Sequence, residues 1–395
     1  KNMSHSQTKT RNMTEGNIWM HLILFALPLL IGNLFQQLYN TVDSIVVGNF
    51  VSKTALAAVG STDNIINTII GFFSGLATGA GVVISHSFGS GDKKALHRAV
   101  HTTIMLTFVL SIFFTIAGLL LAPLFLKLMA TPEDVLPEAS AYLKIYFAGV
   151  SGLMIYNMGS GILRAVGDSR RPLYILIVCA VTNIVLDLVF VVYLGAGVEG
   201  VAYATIISQW ISAILVLVIL TKEQSDYRLV WKDLRIDKRT TLSILRIGFP
   251  AGLQMAITAF SNVFVQSYIN QFGSSCMAGW TTYGKLDKFC LLPIQSLGLS
   301  ITTFVGQNLG AKKMERARKG TAYAVILSIG AALILMMPVM AAAPMLATLF
   351  TNDPEVIAYG VWFIRLMMPF YVAISFNQIL GNALRGAGNS VVPMI

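Results

Sequence analysis

The chain is poor in charge. Of its 395 residues only 12% are Asp, Glu, Lys or Arg, about half the share of an ordinary soluble domain. With 55% hydrophobic residues and a mean hydropathy of +0.70, this scarcity excludes water as the main solvent of the fold. Cysteine is scarce too. Cys179, Cys276 and Cys290 are odd in number, fall in or beside apolar stretches and lack metal-ligand spacing, so they read as core residues. No P-loop, dinucleotide fingerprint, zinc-protease pair or nucleophile elbow occurs, which argues against ATP hydrolysis and leaves no catalytic residue to assign. His97 and His101 are four residues apart, with no acidic third ligand expected beside them, and read as a solvated helix end rather than a metal site.

What the chain has instead is apolar length. Stretches such as Ile18 to Tyr39, Ile104 to Leu126 and Leu173 to Leu194 are long enough to cross about 30 Å of hydrocarbon. The first has no small-residue cleavage site after a short core, so it reads as a retained helix rather than a signal peptide. The net charge of +10 sorts by loop. Lys1, Lys9 and Arg11, then Lys93, Lys94 and Arg98, then Arg164, Arg170 and Arg171, then a polar linker, then Lys312 to Lys319, then Arg385 fall on one side of the alternating spans. Only Lys53 and Lys127 fall in loops on the other. The positive-inside rule then places the N-terminus in the cytoplasm of a bacterial inner (plasma) membrane, and makes the basic excess a topology signal rather than a nucleic-acid patch.

The sequence also repeats at an offset of about 220 residues. Ala26-Leu27-Pro28 matches Gly248-Phe249-Pro250, and Gly91-Asp92-Lys93-Lys94 matches Gly310-Ala311-Lys312-Lys313. Leu163-Arg164-Ala165-Val166-Gly167-Asp168-Ser169 with Pro172 matches Leu384-Arg385-Gly386-Ala387-Gly388-Asn389-Ser390 with Pro393. Each copy should hold six spans. The first set falls at 17–48, 54–88, 98–128, 138–164, 172–194 and 197–221, and the second at 241–272, 277–307, 318–350 and 356–384. An even number per copy makes the repeats parallel, related by an axis along the membrane normal. The expected organisation is an N-terminal lobe over 1–221, a cytoplasmic linker over 222–240 and a C-terminal lobe over 241–395. The second copy stops two helices short, so the chain is expected to lack about 50 C-terminal residues.

Charged residues inside spans are costly, and so they are candidates for function. Asp43, Asp63, Asp187 and the hydroxyl of Thr205 fall at a similar depth, roughly 10–15 Å below the outer surface at 1.5 Å per residue. Asn183 and Asp187 share one face of the fifth span, while Gln36, Asn40 and Asp43 form a polar stripe on the first. Two carboxylates with amide and hydroxyl oxygens nearby suit either a shared proton or a hard cation such as sodium. The plainer alternative makes Asp43 and Asp187 packing glue between helices, and makes Asp63, next to Thr62, a polar cap. Lys144 and Arg365 are expected to snorkel. Asp287, with Lys285 and Lys288, reads either as a self-neutralising group or as part of a central cavity. Pro28 and Pro250 stand inside helices at repeated positions and are hinge candidates.

Leu27-Pro28-Leu29 followed by Asn40-Thr41-Val42-Asp43-Ser44, the twin Leu-Arg-x-x-Gly-[Asp/Asn]-Ser segments, and Val305-Gly306-Gln307-Asn308-Leu309-Gly310 together resemble the multidrug and toxic compound extrusion (MATE) transporters. The resemblance implies an all-α integral membrane protein with a twelve-helix fold of two six-helix lobes, the last two helices lying beyond this chain. It implies export of cationic amphipathic compounds, small organic cations, by antiport against H+ or Na+, with no other cofactor and with the protein acting as a monomer in the bilayer. It places the cation site on Asp43, Asn183, Asp187 and Thr205, with further hydrogen-bond partners at Tyr142 and Asn157. Val265 stands at the repeat position of Asp43, so coupling is expected to be asymmetric between the lobes. The rival readings are a lipid-linked oligosaccharide flippase of the same superfamily and a membrane-embedded enzyme.

Overall fold

The computed structural model describes residues 12–51, 53–128, 133 and 135–395. Lys1, Lys9 and Arg11 lie outside the described residues, as do the side chains of Lys53 and Asp63. The chain folds into long helices: α1 (Ile18–Phe50), α2 (Lys53–Gly89), α3 (Lys93–Leu128), α4 (Leu136–Ala165), α5 (Arg170–Asp187) and α6 (Gly197–Lys222), followed after a linker by α7 (Lys238–Asn270), α8 (Ser274–Gly310) and α9 (Met314–Ala341). Four shorter helices complete it: α10 (Ala343–Thr348), α11 (Pro354–Met367), α12 (Tyr371–Gly386) and α13 (Val391–Met394).

Among the described residues nine stretches are long and apolar enough to cross a membrane, which makes this a multi-pass membrane protein. Helix α4 falls outside the nine. It carries Glu138, Lys144 and several glycines, but it packs between α2, α3 and α6 with most of its residues buried, so it needs less apolar surface for lipid. Two spans are interrupted where proline removes a backbone donor. The ninth, expected to continue to residue 350, stops at Ala341, and α10 restarts with Pro344 in its first turn. The tenth is split between α11 and α12 by a single 3-10 turn, Met368–Phe370, around Pro369. Pro28 and Pro250 do not break α1 or α7.

The twin segments prove to be twin helix caps. Gly167 and Gly388 both take left-handed backbone, φ +87° and +88°, directly after α4 and α12. The following amides turn back, Asp168 N to Leu163 O at 2.9 Å and Asn389 N to Leu384 O at 2.9 Å, which is the six-to-one bond of a glycine-terminated helix. Asp168 Oδ1 then accepts from Arg170 N and Arg171 N, and Asn389 Oδ1 accepts from Val392 N, starting the next helix in each copy. The repeat expected at Gly91 and Gly310 slips by two. The helix ends pair Gly89 with Gly310, so the left-handed position occupied by Gly91 in the first copy falls on Lys312, φ +59°, in the second.

The two lobes meet tightly at the basic face, where α2, α4, α6, α8 and α12 end. Built Cβ atoms on Gly75 and Gly79 of α2 would stand 2.1 and 2.5 Å from the backbone nitrogens of Gly252 and Gly248 on α7, so only glycine permits this approach. Nearer the face, Gly89 packs on Gln307 and Gly310 on His86, closing α2 against α8. The segment before α1 seals the same region: Met13 is fully buried, its amide donates to Gln307 Oε1 at 2.9 Å, and its carbonyl accepts from Arg316.

Candidate functional site

Helices α1 and α5 run parallel and start from the same contact. A Cβ on Gly32 of α1 would lie 3.0 Å from Leu176 Cδ1 on α5. Eleven residues further along each helix, about 16 Å at 1.5 Å per residue, come Asp43 and Asp187. Because the two arrive at one level, the Asp43 side chain reaches hydrogen-bonding distance of the Asp187 carboxylate. Asp187 is fully buried, and among the described residues no Lys or Arg forms an ion pair with it. Immediately after it the helix widens into a π-helical turn, Leu188–Tyr193, closed by Leu194 N to Val189 O at 2.9 Å. Such turns often accompany functional sites because they displace the register of the residues beyond them.

One turn below Asp187, Asn183 is 1% exposed, and both polar atoms of its amide lack a hydrogen-bond partner among the described residues. Orphaned buried amide atoms are costly, and here they lie one helical turn from the carboxylate pair. Thr205 of α6 is buried and gives its hydroxyl proton to Val201 O of its own helix at 2.9 Å, which leaves its lone pairs for another donor or a cation. Ser208 and Ser212 on the same helix reach Cys179 of α5. Thr205 therefore rises about 4.5 Å past Ser208 toward the level of Asn183. Two carboxylates, an amide oxygen and a hydroxyl form a donor set suited to a proton shared between oxygens or to a hard monovalent cation.

The supporting residues divide. Tyr142 is buried on α4 and stacks on Tyr146, ring centroids 6.5 Å apart. Asn157 instead turns its amide to Leu153 O of its own helix at 2.9 Å. Gln36 is half-buried and Asn40 exposed. Three residues near the pair escape a reading of the sequence alone. Tyr39 lies within electrostatic reach of Asp43, Cys179 and Tyr146, and Cys179 itself contacts Ser208 and Ser212. Tyr39 and Cys179 precede Asp43 and Asn183 by four residues, so carrying the one-face argument one turn further would have found both. Tyr146 follows Tyr142 by the same step.

The second copy holds a separate carboxylate. Asp287 Oδ1 accepts from Tyr283 OH at 2.9 Å and from Tyr371 OH. The self-neutralising reading fails, because Lys285 lies over the Phe350 ring, 5.1 Å from its centroid, and Lys288 is exposed. Two tyrosine hydroxyls satisfy the carboxylate in place of a cation. Lys144 and Arg365 are exposed, as snorkelling side chains are. The expectation that no acidic group stands beside His97 and His101 fails, because the linker brings Asp233 Oδ2 to 3.2 Å from His97 Nε2, and the solvated reading of both histidines is overturned for one of them. His101 is 1% exposed because the linker folds over it, its Nε2 accepting from Val230 N at 3.0 Å and its Nδ1 donating to His97 O at 2.7 Å.

The MatE family model matches residues 28–189 and again 250–395. The chain belongs to the MATE family. This MATE chain is 32% identical over 382 residues to the probable multidrug resistance protein YpnP of Bacillus subtilis (strain 168), covering 96% of the chain and 85% of that protein. It is 26% identical to the FAD transporter of Shewanella oneidensis, covering 92% of the chain and 81% of that relative. Among solved structures it superposes with a TM-score of 0.93 on an outward-facing multidrug resistance MATE transporter of the MOP superfamily, at 25% identity, covering 99% of the chain and 87% of the other. The two-lobed MATE fold and a transport role follow from these matches.

Proposed function

We propose that this MATE transporter is a secondary antiporter that exports cationic amphipathic compounds, driven by a proton or sodium ion taken up at Asp43 and Asp187. The observation that carries the reading is the meeting of those two carboxylates beside the orphaned Asn183 amide. Asn183 and Thr205 complete the site. Two carboxylates in a dry pocket repel each other unless a proton or cation lies between them, so occupancy of the site is coupled to the arrangement of α1 and α5. A ligand that binds one arrangement more tightly shifts the population toward it. Pro28 supplies the bend in α1, and Pro250 its counterpart in α7. The basic face lies in the cytoplasm of a bacterial plasma membrane by the positive-inside rule, and the protein works as a monomer.

The test is ethidium efflux from cells, wild type against Asp43→Asn and Asp187→Asn, with the proton and sodium gradients collapsed separately. Loss of efflux in both variants, and on collapse of one gradient, supports the reading and names the ion. Wild-type efflux that survives both collapses, or variants that match wild type, overturns it.

A further inference from the structure

The linker between α6 and α7 is a strap across the basic end of α3. Tyr227 and Leu229 are buried, and Leu229 N donates to Leu220 O at 2.9 Å. Val230 is held by His101. Trp231 Nε1 donates to Thr221 Oγ1 at 3.1 Å, and its ring stacks toward Phe108 with centroids 6.4 Å apart. Further on, Asp237 N donates to Thr102 Oγ1 at 3.2 Å. The strap divides two concavities along one stripe of α3.

On the basic side of Trp231 a cavity of about 400 Å³ is lined by Lys93, Lys94, His97, Arg98, Arg228 and Arg235, with Asp226 as the carboxylate in its wall and Asp233 behind it on His97, Nε2 to Oδ2 3.2 Å. Asp226 is already taken by Lys93, Nζ to Oδ2 3.2 Å. On the other side, an apolar groove of about 560 Å³ runs between α3, α4 and α6, lined by Ile112, Ile116, Ile155, Trp210 and Leu217, with Trp231 at its mouth. Ile112 and Ile116 are more than half exposed. Arg98 and Phe108 lie ten residues apart on α3, a rise of about 15 Å. A basic cavity at the membrane surface therefore stands directly above an apolar groove at hydrocarbon depth, with an interfacial tryptophan between them.

We infer that these two concavities form one binding site for an anionic phospholipid, its headgroup among Lys94, Arg98, Arg228 and Arg235 and an acyl chain in the groove beside Ile112 and Trp210. Charge complementarity selects the headgroup: a zwitterionic lipid gains little from an excess of guanidinium and ammonium groups, whereas each basic side chain near the surface attracts an anionic lipid. The groove selects a lipid over a soluble anion, since free phosphate has nothing to place there. Bound in this way, the lipid braces the strap that joins the two lobes. The inference goes beyond antiport and stands or falls apart from it.

The test uses the purified protein in vesicles that contain phosphatidylglycerol or phosphatidylcholine brominated on the acyl chains, read as quenching of tryptophan fluorescence. Phosphatidylglycerol is expected to reach half-maximal quenching at a mole fraction at least about tenfold below phosphatidylcholine. The preference should vanish when Lys94→Gln, Arg98→Gln and Arg235→Gln are combined, and the saturating quench should shrink in Trp231→Phe. An unchanged thermal midpoint in detergent shows that the combined variant is folded. Equal quenching by the two lipids, a combined variant that keeps the preference, or full displacement of phosphatidylglycerol by inorganic phosphate would overturn the site.

Discussion

His86 and Gln307 occupy equivalent places on α2 and α8, and each donates across the lobe interface to the end of the other copy's helix. His86 Nε2 reaches Gly386 O at 2.8 Å, and Gln307 Nε2 reaches Ala165 O at 2.9 Å. The bonded pairs are related by one shift of 221 residues, 86 to 307 and 165 to 386, so the latch has the pseudo-two-fold symmetry of the duplication. Gln307 is fully buried and also accepts from Met13 N. Gln307→Ala should weaken the closed basic face by about 1–3 kcal/mol, the cost of stranding buried partners. Distances between spin labels on the basic-face ends of α2 and α8 should lengthen in a larger fraction of molecules. An unchanged distribution would remove the latch from the gating account.

Gly75 gives a sharper test of the same closure. Its missing Cβ would overlap Gly252 backbone atoms at 2.1 and 2.3 Å, which no side-chain rotation relieves. Gly75→Ala should push α2 from α7 and disfavour this closed state by at least about 1–3 kcal/mol, roughly a tenfold or greater shift in population. Gly284→Ala, where nothing lies within 4 Å, should leave both the distance distribution and efflux unchanged.

For Asp187 the two readings predict opposite signs. If the carboxylate pair were packing glue, Asp187→Asn would lower the thermal midpoint and spare transport. As the coupling site, Asp187→Asn should lose at least about 100-fold in gradient-driven efflux, in the range seen when a proton-transfer group is removed. Its thermal midpoint should hold or rise, since neutralising one member relieves repulsion in a dry site. Midpoint and efflux rate measured on the same variant decide between them.

Acid should loosen the strap through Glu223. Burial alone would raise this carboxyl, but hydrogen bonds from Arg171 and Ser225 and the Arg171 charge outweigh it and hold the group below its ordinary 4.5. A depressed carboxyl contributes stability above its unfolded value and loses it as pH falls through the folded one. The midpoint difference between wild type and Glu223→Gln should thus be full at pH 7 and fade below about 4.5. Asp168, also on Arg171 at 2.7 Å, is pushed up by burial and works in the opposite direction, so the comparison with Glu223→Gln is what isolates the strap. A difference that is constant with pH would exclude Glu223 as the acid-sensitive group.

Much of the architecture was legible because a bilayer leaves few options. Every backbone group must be satisfied within a span, so apolar length alone marks the helices. The duplication showed in the twin caps because a left-handed glycine and a side-chain cap at Asp168 or Asn389 are local needs that each copy must meet. Asp43 and Asp187 stood out because an intramembrane carboxylate is costly wherever it points. Tyr371 stayed hidden, since its bond to Asp287 joins residues 84 apart on α8 and α12. The amide of Asn157 donates to its own preceding turn, a local bond that spacing along the chain does not distinguish from one to a neighbouring helix.

The repeat, the run of apolar spans and the two candidate carboxylates are properties of one chain read along its length, and the amino-acid order by itself determined them. That α1 and α5 rise in step from Gly32 and Leu176, so that Asp43 meets Asp187, was decided only by the tertiary structure. So were the burial of His101 beneath the linker and the joining of a basic cavity to an apolar groove across Trp231. The reason is physical. Periodicity and hydropathy say which face of a helix is polar, but close approach depends on small residues on two helices coinciding at one level, and that level is set by packing between segments far apart in the chain.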